Sequence, residues 1–138
     1  MKKIALITGI TSMVLILEWV SIIGGFLSLN KLENTRIITT GYEIWFRTFS
    51  IPDQWIVFWC LMSFIAAIKN KSMAIPFSMI AASSMIFLAM CTITFYAQNS
   101  MLFDVNSYQL FEDLSCIWLV STGAWLLYFG ISKWEFRK

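Results

Sequence analysis

IALITGITSMVLILEWVSIIGGFLSL, residues 4–29, contains one charged side chain, Glu18, in a run that is otherwise uncharged and mostly apolar. The hydrocarbon core of a bilayer is about 30 Å thick and takes about 20 helical residues, each rising about 1.5 Å. The stretch therefore reads as a membrane-spanning helix. Lys2-Lys3 ahead of it imitates the start of a secretory signal peptide. The apolar run is too long for one, carries Glu18 and lacks a small-residue cleavage site, so a retained helix is expected.

The rest of the chain follows the same pattern. It has 138 residues, of which 59% are hydrophobic and 13% charged. Soluble domains average about 45–50% apolar and about 25% charged, and the mean hydropathy here is +0.73. Further apolar spans cover residues 51–68, 73–97 and 108–132. The expected fold class is an all-α membrane protein, a single domain over 1–138 with four transmembrane helices in an up-down-up-down bundle. The lipid bilayer is its first expected partner. The link Lys69-Asn70-Lys71-Ser72 is short enough to make the second and third spans antiparallel neighbours. Small residues at four-residue spacing suit close helix packing: Ser21 and Gly25, Ser63 and Ala67, and Ala74, Ser78 and Ala82.

One substantial loop, residues 30–50, is aromatic in its second half, with Tyr42, Trp45, Phe46 and Phe49. Such residues favour the headgroup layer. A short interfacial helix or re-entrant cap is expected from about Gly41 to Phe49. Basic residues set the orientation. Lys2, Lys3, Lys69, Lys71, Lys133, Arg137 and Lys138 would share one side, against Lys31, Arg36 and Arg47 on the other. The positive-inside rule then puts both termini in the cytoplasm of a multi-pass plasma (inner) membrane protein.

Several chemistries find no support. The chain has no histidine, which removes the commonest general base and the commonest metal ligand. Its three cysteines, Cys60, Cys91 and Cys116, form no C-x-x-C pair and suit buried apolar positions. No nucleophile–base pair is recognisable, so the reading leans away from an enzyme, and no cofactor or metal is expected. Nucleic-acid binding is disfavoured, because the few basic residues flank membrane spans and serve topology.

The acids are what remain. A carboxylate within hydrocarbon costs roughly 2.5–3.5 kcal/mol on insertion scales, so it normally has a partner, a water-filled cavity or a function. Asp53 follows Pro52 at the start of the second span, and Glu112 and Asp113 are expected in the first turn of the fourth. The helix dipole favours acids there anyway. Glu18 has no helix end near it. At 3.6 residues per turn it shares a face with Thr11, Val14, Ser21, Gly25 and Ser28. Matching faces are Asp53, Val57, Cys60, Phe64 and Ala67 on span two, Leu88, Thr92, Tyr96 and Asn99 on span three, and Gln109, Glu112, Cys116 and Gly123 on span four. The expected site is an outward-opening polar pocket with Glu18 at its floor, about 15 Å below the outer boundary. Its expected ligand-binding residues are Glu18, Asp53, Thr92, Tyr96, Asn99, Glu112 and Asp113, with Arg47 as the cation near the mouth. The expected function is binding or transport of a small polar or cationic ligand, with Glu18 able to exchange a proton. The alternative is an accessory, immunity or regulatory protein that pairs with another membrane protein or with a second copy. An open cavity beside Glu18 would favour the first, a sealed core the second.

Overall fold

The computed structural model describes residues 1–24, 41–102 and 107–135. Their helices are α1 Lys2–Ile23, α2 Tyr42–Thr48, α3 Ser50–Ile68, α4 Ala74–Gln98 and α5 Ser107–Glu135, and no strand occurs among the described residues. All but α2 are long and apolar enough to cross a membrane. The described residues are thus all-helical, and their four long apolar helices are those of a multi-pass membrane protein. Residues 25–29 of the first expected span, with Gly25 and Ser28, lie outside the described residues, as do the loop to residue 40 and the tail from 136.

The start of α5 places two of the acids. Because α5 begins at Ser107, Glu112 and Asp113 fall in its second turn, and its first turn holds no acid. The dipole's pull fades within the first turn. The explanation expected from the sequence therefore does not apply to these two residues, and their environment must come from tertiary contacts.

The helices pack in chain order, α1 on α3, α3 on α4 and α4 on α5. The α3–α4 link is held by a Schellman arrangement: Asn70 takes a left-handed φ of 51°, the Lys71 N–H donates to Ala66 O at 2.8 Å and the Asn70 N–H to Ala67 O at 3.1 Å. Small residues then allow the helices to approach. Ser63, Ala67, Ala74, Ser78 and Ala82 are all buried, and the Ser63 hydroxyl donates to Ala74 O at 3.0 Å. Gly123 of α5 lies so close to α4 that a Cβ there would stand 3.0 Å from the Ala82 carbonyl oxygen. By contrast, α1 and α5 do not pack along each other.

Two cores result. The larger one draws Ile4 and Leu15 together with Ile56, Cys60, Met85, Leu119 and Leu126. The smaller is aromatic and gathers Tyr42 and Phe46 of α2 with Tyr96, Met101 and Cys116. Ring contacts hold α2 in place: Trp45 stacks on Phe95 with centroids 3.9 Å apart, and Phe46 meets Trp19 at 5.5 Å. A second Schellman turn, with Ser100 at φ 56° and the Met101 N–H on Tyr96 O at 2.9 Å, ends α4 and folds Met101 into that cluster.

Candidate functional site

A cavity of about 360 Å³ opens where α1, α2, α4 and α5 meet near the start of α3. Pockets for small organic ligands run from about 300 Å³ upward, so this one is large enough for such a molecule. Its wall is mostly apolar, with Leu15, Phe46, Phe49, Leu88 and Leu119 among the lining residues. Into it face three carboxyl side chains, from Glu18, Asp53 and Glu112, together with Thr11, Thr92, Tyr96 and Ser115. None of its described lining residues is a lysine or arginine.

Each acid is positioned differently. Asp53, in the first turn of α3, is buried and accepts a 2.9 Å hydrogen bond from Trp19 Nε1. That bond ties α1 to α3 beside the cavity. Glu112 of α5 is also buried, and its Oε2 accepts from the Tyr96 hydroxyl at 2.9 Å. The Tyr96 oxygen lies 3.0 Å from the Tyr42 hydroxyl. A tyrosine has one proton to give. With that of Tyr96 on Glu112, Tyr42 donates to Tyr96, and a relay runs from α2 through α4 to α5.

Glu18 is the exception. It lies five residues before the end of α1, half-buried, and receives no hydrogen bond among the described residues. Its carboxyl feels the charges of Glu112 and Asp53. With three carboxyl groups and no lysine or arginine among its described lining residues, the cavity favours a proton or a cation beside them. The arrangement therefore suits a positively charged or hydrogen-bond-donating guest.

Five of the eight expected residues, Glu18, Asp53, Thr92, Tyr96 and Glu112, line this one cavity. Three do not. Asn99 is the C-terminal cap of α4; its side-chain amide donates back to Phe95 O at 2.8 Å and is exposed. Asp113 is buried beside the cavity's wall and accepts from Gln109 Nε2 at 3.0 Å. Arg47 is exposed on α2, away from the lining that Trp45, Phe46 and Phe49 provide. The cavity also continues past Glu18 to Ile10 and Thr11, so Glu18 belongs to its wall and not its floor. At its deep end Trp118 Nε1 donates to Thr11 Oγ1 at 3.2 Å, joining α5 to α1. Trp19, Tyr42 and Trp118 carry no local sequence signal for these roles, since their partners lie 34, 54 and 107 residues away.

Compared with known proteins, the chain matches no family model, no curated protein and no solved structure.

Proposed function

We propose that this protein binds a small polar or cationic ligand in the cavity beside Glu18, as a receptor or a transporter, with proton exchange at Glu18 coupled to binding. The observation that carries this reading is the open cavity bearing three carboxyl groups and no basic side chain among its described lining. That Glu18 receives no hydrogen bond among the described residues supports it too, because a carboxyl serving only to join these helices would be bonded to one of them. The accessory reading would draw support from a sealed core, and the core beside Glu18 is open.

In this proposal the four long helices run up-down-up-down in the plasma membrane with both termini cytoplasmic, following the basic residues. The cavity then lies in the outer half of the bilayer. Helix α2 lies at the outer interface, and its Trp45 and Phe46 cover the cavity end. Glu18→Gln keeps the shape of the side chain and removes its charge and its exchangeable proton. Measured in lipid nanodiscs, it is expected to weaken binding of small organic cations at least tenfold while the protein still inserts. Equal affinity in wild type and variant would overturn the reading.

A further inference from the structure

We infer that the cavity is entered sideways, from the hydrocarbon layer through a slot between α1 and α5, and that its ligand is an amphiphile: an amine or ammonium group carrying an alkyl or aryl tail. This rests on the cation-binding reading above and adds the route and the ligand class.

The slot follows from the packing order. Each long helix packs on its neighbour in sequence, but α1 and α5, the pair that would close the ring, do not pack along each other. The cavity lies against that gap. Ile10 and Val14 of α1 and Phe111, Leu114 and Trp118 of α5 line it, yet they are 39% to 57% exposed. A side chain that faces a cavity and is also open to the surroundings marks an opening. Helical geometry agrees: Ile10 and Val14 lie along one edge of α1, and Phe111, Leu114 and Trp118 along one edge of α5. Thr11, Leu15, Glu112, Cys116 and Leu119 are buried further in. The Trp118–Thr11 bond bridges the slot at its deep end.

The chemistry of the rim fixes what passes. All five rim side chains are apolar, and in a bilayer they meet acyl chains. A bare ion does not travel by that route, because its desolvation in hydrocarbon is prohibitive. An amphiphile already partitioned into the membrane slides its tail along the rim and brings its cationic head to Glu18, Asp53 and Glu112. Aromatic side chains are at hand for that head. Trp45, Phe46 and Phe49 line the same cavity, and an ammonium over an aromatic face gains about 0.5–2 kcal/mol.

The test uses the full chain in nanodiscs of zwitterionic lipid, with empty nanodiscs as the partition control. Three probes are titrated: dodecyltrimethylammonium, tetramethylammonium with the same head and no tail, and dodecyl maltoside with the same tail and no charge. The expected result is that dodecyltrimethylammonium binds at least tenfold tighter than either of the others and loses at least tenfold in Glu18→Gln. Val14→Trp and Leu114→Trp, which narrow the slot from opposite sides, should each slow its association severalfold. Tetramethylammonium binding as tightly as the tailed ion, with the same dependence on Glu18, would leave the cation site standing and overturn the lateral route. Unaltered association in both tryptophan variants would overturn the route as well. If no ammonium probe binds the wild type, or Glu18→Gln changes nothing, the cavity reading fails and this inference fails with it.

Discussion

Cutting the Trp19–Asp53 bond should loosen α1 from α3, and its size can be worked from the geometry. The donor–acceptor distance is 2.9 Å and Asp53 is 5% exposed. Hydrogen bonds to charged groups contribute about 1.5–3 kcal/mol in soluble proteins. Side-chain bonds between membrane helices average only about 0.6 kcal/mol and reach about 1.7 kcal/mol. Asp53 also borders the cavity, so a carboxyl that loses its indole partner is not sealed in dry packing. The lower range therefore applies. Trp19→Phe retains a ring against Phe46, whose centroid lies 5.5 Å away, and removes the donor. A double-mutant cycle of Trp19→Phe and Asp53→Ala, each of which removes one partner of the bond, followed by unfolding in mixed micelles, should give a coupling of about 0.6–1.7 kcal/mol. A coupling below about 0.3 kcal/mol, with the two effects simply adding, would refute the claim that this bond joins the helices.

Three other outcomes are expected. Gly123→Ala places a Cβ 2.8 Å from Ile86 Cγ1 and 3.0 Å from the Ala82 carbonyl oxygen; alanine's gain in helix propensity of about 1 kcal/mol is outweighed by overpacking of about 1–3 kcal/mol. A net loss of about 1 kcal/mol should appear in micelle unfolding, and a stabilised variant would contradict the close α4–α5 approach. Tyr96→Phe removes the donor to Glu112 and a partner of Tyr42, so it should cost about 1 kcal/mol and weaken cation binding; titration and unfolding of one sample check both. A reporter fused after Lys138 should be active only in the cytoplasm, and activity on the outer side would reverse the orientation inferred from the basic residues.

The four long helices were legible because membrane hydropathy is a local property. Each run of about 20 apolar residues announces its own helix, and α3 and α4 begin and end within about one residue of expectation. The face containing Leu88, Thr92 and Tyr96 was readable too, since helical period alone puts them on one side of α4. The sequence misled at helix ends. Asn99 fits that face by period, but it caps α4 and bonds its own backbone. Glu112 and Asp113 are not first-turn acids, because a helix that starts at either Ser107 or Tyr108 puts both in its second turn. The cavity's depth beyond Glu18 could not be read at all. It depends on α1 and α5 failing to pack, a property of the whole bundle that no residue declares.

Infrared difference spectroscopy on cation binding tests the central claim most directly, because it watches the carboxyl groups themselves. Adding an ammonium ligand to the wild-type protein should change a carboxyl or carboxylate stretching band, and that change should vanish in Glu18→Gln. The same band change in the variant, or a bound ligand with no carboxyl response in the wild type, would contradict the assignment of the site to Glu18.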